Sequence, residues 1–269
     1  MLNLFSNIPQ VMGILNVTPD SFSDGGRYVH LDQALFQAEK MQQEGATVID
    51  IGGESTRPGA EPVSLQQELD RVLPIIEKIS SRLNVIISVD TSKPQVMLAA
   101  ADLGAGLIND VNALQADQAI AAVIKTDLPV VLMHKQGSPK TMQQAPHYES
   151  VITEVMEFLQ ARIAACESQG LTREKIIIDP GFGFGKTLTH NFQLLKSLSL
   201  LESLNCPVLV GLSRKSMIGA LLDLPMEQRM NASVALALMA VERGAKIVRV
   251  HDVKPTVEAL KLWRAVAAH

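Results

Sequence analysis

The sequence predicts an α/β protein built as a single (β/α)8 TIM barrel. Eight short apolar runs rich in β-branched residues recur along its 269 residues, and such runs are typical of parallel strands buried on both faces. Most intervals between the runs contain 20 to 45 residues, which is enough for a crossover helix. Each run also ends in a polar or charged cluster. Because the carboxyl ends of barrel strands face the active site, these clusters are expected to meet at one mouth.

The strands and the clusters that end them can be placed along the chain. The first run lies at about 10–16, and the second ends at Ile51. The other six lie at about 85–90, 106–110, 129–133, 175–179, 207–212 and 246–251. In the same order, the clusters are Asn16, Asp50 to Thr56, Asp90, Asn109 with Asp110, His134, Asp179, Ser213 to Lys215, and Arg249 with His251.

Helices are predicted between the strands from their start and stop signals. The first runs from about Leu31 to Glu44, ahead of Gly45. The next starts after Ser64, which forms a capping-box pair with Gln67, and another starts near Pro94. Further helices are predicted at about 148–169, 215–222, 226–243 and 255–268. Long polar loops after strands one and two are predicted to be mobile lids.

Composition narrows the class of protein. The net charge of -4 and the pI near 5.9 argue against a nucleic-acid surface. No linker, signal peptide or apolar run of membrane-spanning length is evident, so we expect one domain over 1–269 in the cytoplasm. Cys166 and Cys206 lack metal-ligand spacing and are expected to be buried free thiols.

Asp90, Asn109 and Asp179 end three of the predicted strands. Each residue alone is readily explained as a helix cap or a turn residue. Together they provide two carboxylates and an amide, which suit a flat heterocycle with an amidine-type edge. Selectivity would follow because a wrong ligand leaves the buried acceptors unpaired.

The glycine-rich segment DPGFGFGK at 179–186 follows strand six. Its spacing differs from the dinucleotide fingerprint and from the phosphate-binding loop. It has two readings. One is a turn from strand to helix that needs positive φ angles. The other is a backbone that lies against a planar ligand, with Phe184 packed nearby.

Cationic residues follow the last two strands. Ser213, Arg214 and Lys215 open a helix, whose first-turn N–H groups attract anions. Ser213 is therefore a candidate carboxylate or phosphate site, Lys215 a donor to a carbonyl oxygen, and Arg214 a surface salt-bridge residue. Arg249 and His251 alternate along strand eight and so face the same side. Burying such groups requires partners or a ligand, although His251 also reads as a satisfied core histidine.

The remaining candidates lie at the end of strand one and on the two long loops. Asn16 offers an amide oxygen suited to Mg2+ that is shared with phosphates. Aromatic and guanidinium groups on mobile loops often mark binding sites. The loop candidates are Phe22, Asp24, Thr56, Arg57 and Pro58.

Over almost its whole length the chain resembles the dihydropteroate synthase family. The motifs that carry the resemblance are GILNVTPDSFSDGG at 13–26, DIGGESTRPGA at 50–60, SVDTSKP at 88–94, IND at 108–110, MHKQGSPKTMQ at 133–143, DPGFGFGK at 179–186, SRKSMIG at 213–219 and RVHDV at 249–253. Departures from the family pattern are slight. Lys135 stands where the family often has an apolar residue, and Ala232 where a glycine is common.

The resemblance implies the condensation of (7,8-dihydropterin-6-yl)methyl diphosphate with 4-aminobenzoate in folate biosynthesis, by a homodimer. The implied pterin ligands are Asp90, Asn109, Asp179, Phe184, Lys215 and Arg249. The implied diphosphate ligands are Asn16, Arg57, Arg249 and His251, with Mg2+ bridging to Asn16. The implied aminobenzoate site is Phe22, Thr56, Pro58 and Ser213, where sulfonamides compete. The implied catalytic residues are Asp24, Arg57 and Lys215.

No set of residues for nucleophilic catalysis is evident, which suits an SN1-like path. In this path diphosphate leaves first and the arylamine then attacks a pterin cation, so the protein contributes placement and electrostatics. Two alternatives stay open. One is a pterin-dependent methyltransferase domain, and the other is a non-catalytic paralogue that binds a pterin.

Overall fold

The computed structural model describes residues 8–17, 27–55, 60–137, 142 and 145–269. Eight parallel strands close into a barrel in sequence order, which confirms the predicted fold class. The strands are β1 Gln10–Asn16, β2 Val48–Gly52, β3 Ile86–Asp90, β4 Leu107–Asp110, β5 Val130–Met133, β6 Ile176–Asp179, β7 Val208–Val210 and β8 Ala245–Val250. The α-helices are α1 Arg27–Gln43, α2 Leu65–Ser80, α3 Pro94–Asp102, α4 Ala119–Thr126, α5 Val151–Ser168, α6 Leu188–Lys196, α7 Ser216–Leu222, α8 Met230–Val241 and α9 Val253–Ala267.

The barrel has two separate apolar layers. The larger cluster fills the space between the strands and the surrounding helices. The smaller one lies inside the barrel, where seven strands each contribute one fully buried side chain: Met12, Val48, Leu107, Val131, Ile177, Leu209 and Ile247. Strand residues two positions apart point to the same face. The next inward position of a strand therefore lies directly above this layer, toward the carboxyl end.

Several helix bounds differ from those predicted. α1 begins at Arg27, four residues earlier than the predicted start at Leu31, and the first buried position between residues 30 and 43 is Ala34. α5 begins at Val151 and not at residue 148. Tyr148 lies in the preceding loop, where its hydroxyl donates to the carbonyl oxygen of Gly185 at 2.8 Å. The predicted helix at 226–243 is a short 3-10 helix, Met226–Gln228, followed by α8.

Other local predictions are confirmed. Ser64 and Gln67 form the capping box of α2, with both reciprocal hydrogen bonds present. Pro94 is in the first turn of α3, where its missing N–H costs nothing. Cys166 and Cys206 are buried free thiols. Within the described ranges, no helix has both the length and the apolar character needed to cross a bilayer.

Candidate active site

Three polar side chains predicted from the sequence lie together at the carboxyl end of the barrel. Asp90 ends β3, Asn109 lies in β4 and Asp179 ends β6. All three residues are buried. Asp90 is opposite Asn109 in the ladder between β3 and β4. Asn109 and Asp179 each lie two residues beyond a member of the inner apolar layer. The sequence therefore stacks a polar layer directly on the apolar floor of the barrel.

Arg249 is the cation at the centre of this layer. It lies two residues beyond Ile247, so it points into the barrel as predicted. Its Nε–H donates to Asp50 at 2.6 Å, and its second guanidinium nitrogen donates to Asp90 at 2.9 Å. One guanidinium thus holds two buried carboxylates, which explains how the charge is tolerated inside a barrel.

Asp50 is a further functional candidate, whose role is not evident from the sequence. It is fully buried and also accepts hydrogen bonds from Ser88 at 2.5 Å and from Asn109 at 3.1 Å. The signal was available, because a charged residue in the middle of a strand buried at every position is unusual without a partner. Asp50 orients Asn109 and Arg249, and so shapes the pocket without ending a strand.

The electrostatics of the two pocket carboxylates favour a ligand that donates hydrogen bonds. Burial and the neighbouring Asp50 raise the pKa of Asp90, although Arg249 opposes that shift. Burial also raises the pKa of Asp179, against the opposing effects of Lys215 and the Gly181 N–H, which donates to it at 2.7 Å. Donor groups of a bound ligand would relieve the lost hydration of both carboxylates.

The glycine-rich segment after β6 has the positive φ angles that were predicted for a turn from strand to helix. Gly181, Gly183 and Gly185 have φ values of 69°, 77° and 66°. A Cβ at Gly181 would overlap the carbonyl oxygen of His134, so the loop backbone packs directly on the end of β5. This close approach requires glycine for steric reasons as well as conformational ones.

Lys215 lies next to this loop, against Gly183. Its ammonium donates to the carbonyl oxygen of Phe182 and lies 4.6 Å from the centroid of the Phe184 ring. Burial lowers the pKa of Lys215 to about 8, while Asp179 favours the charged form. The structure therefore brings together Lys215, Phe184 and Asp179, which are three of the pterin ligands that the resemblance implies.

The ends of β7 and β8 are joined by side-chain contacts. The Ser213 hydroxyl oxygen accepts from the backbone N–H of His251 at 3.2 Å and lies 3.1 Å from its ring Nδ1. The next residue, Arg214, forms a two-point ion pair with Asp252, at 2.9 and 2.6 Å. The predicted salt bridge of Arg214 is confirmed, and it ties the loop after β7 to the end of β8.

Asn16 is half-buried at the end of β1, beside Gly52 of β2. Within the described part of the chain, no group of three or more His, Cys, Asp or Glu side chains is arranged to hold a metal ion. A lone amide oxygen fits Mg2+ only as a shared site, because Mg2+ keeps several waters and binds substrate phosphates. The loop candidates Phe22, Asp24, Thr56, Arg57 and Pro58 lie outside the described residues.

Comparisons with known proteins agree over nearly the full length. A model of the family described as pterin binding enzymes matches residues 12–251. The dihydropteroate synthase of Haemophilus influenzae is 56% identical over 261 residues, which are 97% of this chain and 95% of the relative. A Yersinia pestis dihydropteroate synthase in complex with a sulfonamide drug is 54% identical, with a TM-score of 0.94 and coverage of 99% and 96%. A Xanthomonas albilineans dihydropteroate synthase in complex with 7,8-dihydropteroate is 47% identical, with a TM-score of 0.90 and coverage of 99% and 96%.

Proposed function

We infer the chemistry of this site from one premise: the chain belongs to the pterin-binding enzymes and, within them, to the dihydropteroate synthase family. It is a transferase of the pterinylmethyl group. Its reaction joins (7,8-dihydropterin-6-yl)methyl diphosphate to 4-aminobenzoate and gives 7,8-dihydropteroate and diphosphate. The role of each residue in this reaction is our proposal.

The observation that carries the assignment is the polar layer on the apolar floor of the barrel. A pterin has an amidine-type edge of N–H donors and, close by, a carbonyl oxygen. Asp90, Asn109 and Asp179 would accept from the donors, and Lys215 would donate to the carbonyl oxygen. Phe184 would pack on the ring. The three acceptors are buried, so a ring without matching donors would leave them unpaired at a cost in binding.

Arg249 has two proposed roles, which are to lie along the pterin and to attract the diphosphate. Its contacts to Asp50 and Asp90 support the first role, since they hold the guanidinium at the level of the pterin acceptors. Asn16, Arg57 and His251 would complete the diphosphate site. The bond from His251 to Ser213 supports this location, because it fixes the backbone next to the mouth.

The second substrate would bind nearer the mouth than the pterin. We propose that 4-aminobenzoate lies among Phe22, Thr56, Pro58 and Ser213, with sulfonamides competing there. The sulfonamide complex of the Yersinia pestis relative supports the competition. Asp24 and Arg57, on the same two loops, would act on the reacting groups when the loops lie over the site.

Mg2+ is proposed as the cofactor, held by the Asn16 amide oxygen together with substrate phosphate oxygens. When bound, the ion neutralises phosphate charge and makes diphosphate a better leaving group. The pairing of the inner carboxylates Asp50 and Asp90 with Arg249 supports a site away from them.

The proposed path is SN1-like. The bond between the exocyclic carbon and diphosphate breaks first, and its electron pair leaves with the diphosphate. The pterin nitrogens stabilise the cation, and Asp24 adds a negative charge beside it. The arylamine nitrogen then attacks the exocyclic carbon and loses a proton to water. Lys215 holds the pterin in place throughout. Catalysis then comes from placement and from fixed charges, which requires no protein nucleophile.

We propose that the enzyme acts as a homodimer in the cytoplasm. Large apolar side chains are exposed on α7, on α8 and on the segment between them, and exposed apolar groups are common where copies of a chain associate. They include Leu221, Leu222, Met226, Met230 and Met239.

Diphosphate release provides the test of function. We expect release that requires both the pterin diphosphate and 4-aminobenzoate, with 7,8-dihydropteroate formed in equal amount. Methyl transfer to or from a pterin without condensation would identify the methyltransferase alternative. Pterin binding with neither reaction, and no rescue of a folate-requiring strain, would identify a non-catalytic paralogue.

A further inference from the structure

Lys186, the last residue of the glycine-rich segment, is a buried cation whose three protons all have acceptors. The residue is 3% exposed. The ammonium lies 2.9 Å from the ring Nδ1 of His134, 2.8 Å from the carbonyl oxygen of Gly181 and 3.2 Å from that of Phe184. An ammonium group has three donors and no acceptor, so this arrangement satisfies it completely.

Two of these acceptors belong to the loop that also holds the pocket charges. The N–H of Gly181 donates to Asp179, while its carbonyl oxygen accepts from Lys186. The intervening Phe182 carbonyl accepts from Lys215. Lys186 therefore closes the segment from 181 to 186 into a ring, and the two charged groups proposed to bind the pterin are attached to that ring.

The third acceptor fixes the ring to the barrel. His134 directly follows β5, and its imidazole is packed edge-on against Phe158, with centroids 5.0 Å apart. The loop backbone contacts the same residue a second time at Gly181, where only glycine fits against the His134 carbonyl. His134, whose role is not evident from the sequence, is thus the point at which the loop meets the end of a strand.

We propose that Lys186, with the imidazole of His134 as its acceptor, is a positioning residue that holds the glycine-rich loop in the conformation that binds the pterin. This inference rests on the proposed function, since it assigns the loop to the pterin. Lys186 acts through the loop backbone, so its effect falls on Asp179 and Lys215 and not on the 4-aminobenzoate site.

The charges around the pair agree with this role. Burial and the nearby charge of Lys186 together lower the pKa of His134 to about 3, so the imidazole is neutral and accepts through Nδ1. Burial also lowers the pKa of Lys186 to about 7, whereas the neighbouring Asp179 favours its charged form. Burying the Lys186 ammonium beside the cation of Lys215 lowers the stability of the folded state. A neutral side chain would fill the same space at lower cost, so the cost indicates a role in the site.

The first test compares Lys186→Met with Lys196→Met, a matched change at an exposed lysine of α6. We expect Lys186→Met to raise the KM for the pterin diphosphate by about tenfold or more, the loss of one charged hydrogen-bonding group. The KM for 4-aminobenzoate should stay within about twofold in both variants. Equal changes in the two KM values, or no change in the pterin KM, would overturn the proposal. Wild-type protein without condensation activity would instead reject the proposed function.

The second test distinguishes two possible contributions of His134, which are its hydrogen-bond acceptor and the packing of its ring. His134→Asn keeps an acceptor near the place of Nδ1 but removes the ring, whereas His134→Leu keeps volume but removes the acceptor. We expect the leucine variant to raise the pterin KM about tenfold and the asparagine variant to change it less than about threefold. Equal effects, or a larger effect of asparagine, would show that His134 acts by packing, and would overturn the proposed acceptor role. Thermal unfolding of each variant verifies that it is folded.

Discussion

Arg249 donates its Nε–H to Asp50 at 2.6 Å, although the two residues are 199 positions apart in the sequence. They also belong to strands that are not neighbours, because β8 pairs with β1 and β7 while β2 pairs with β1 and β3. The contact therefore crosses the inside of the barrel. It makes Asp50 the residue through which the guanidinium and Asn109 are held in a common orientation.

Replacing Asp50 with Asn should weaken both the fold and the pocket. The change removes the charge that faces Arg249, and breaking a buried pair typically costs about 3 kcal/mol of unfolding free energy. We also expect pterin diphosphate affinity to fall about tenfold, since Arg249 and Asn109 lose the charged carboxylate that orients both of them. Urea unfolding and titration calorimetry measure the two effects. Asp32→Asn removes the exposed ion pair with Lys78 and should have a much smaller effect on both.

Asp90→Ala and Asp179→Ala should each abolish measurable binding of the pterin diphosphate. Each carboxylate is a proposed acceptor for pterin donors, and its loss should lower affinity by at least about a hundredfold. Titration calorimetry measures this directly, with Asp117→Ala as the control at an exposed position. Wild-type affinity in both variants would show that the pterin binds elsewhere.

Asp24→Ala should lower turnover far more than pterin affinity. The proposed role of Asp24 is to stabilise the cation, which exists only after diphosphate leaves, so ground-state binding should be nearly unchanged. We expect kcat to fall about a hundredfold, in the range for loss of one electrostatic group. Steady-state kinetics and calorimetry give the two quantities. A large loss of affinity with normal kcat contradicts the role.

Gly181→Ala should destabilise the protein much more than Gly170→Ala. Both glycines have positive φ, at 69° and 102°, so alanine is strained at either position. The difference is space, because nothing lies within 4 Å of a Cβ at Gly170, whereas one at Gly181 overlaps the His134 carbonyl. We expect about 1 kcal/mol for Gly170→Ala and at least about twice that for Gly181→Ala, measured by urea unfolding. Equal losses of unfolding free energy in the two variants would mean that the glycine-rich loop can move away from His134 without cost.

The buried imidazole of His134 should make the unfolding free energy depend on pH. Burial lowers its folded-state pKa from 6.5 to about 3, so between these values the unfolded chain binds the extra proton. The stabilisation is therefore present above pH 6.5 and is lost as the pH falls toward 3. The advantage of the wild type over His134→Asn should shrink by up to about 1.4 kcal/mol per pH unit below that point. Urea unfolding from about pH 7 to about pH 5 measures it, and His147→Asn is the control at an exposed histidine.

Much of the site was predictable because its polar residues stand at the end of an apolar run or within one. Asp90 and Asp179 end apolar runs, and Arg249 interrupts one, so each is visible in a window of a few residues. The role of Asp50 was not predictable in this way, since its partners Ser88, Asn109 and Arg249 are 38, 59 and 199 residues distant. The same holds for His134, whose partner Lys186 is 52 residues away.

The sequence by itself determined the barrel, the level of its polar layer and the residues that form it. The physical reason is that strand alternation has a period of two residues, so a polar residue two positions after a buried one must lie above it on the same face. Only the tertiary structure decided which of these groups are partners. Closure of the barrel places β8 beside β1 and sets Arg249 between Asp50 and Asp90. Packing of the glycine-rich loop on β5 likewise gave Lys186 its acceptor, a contact that no local pattern specifies.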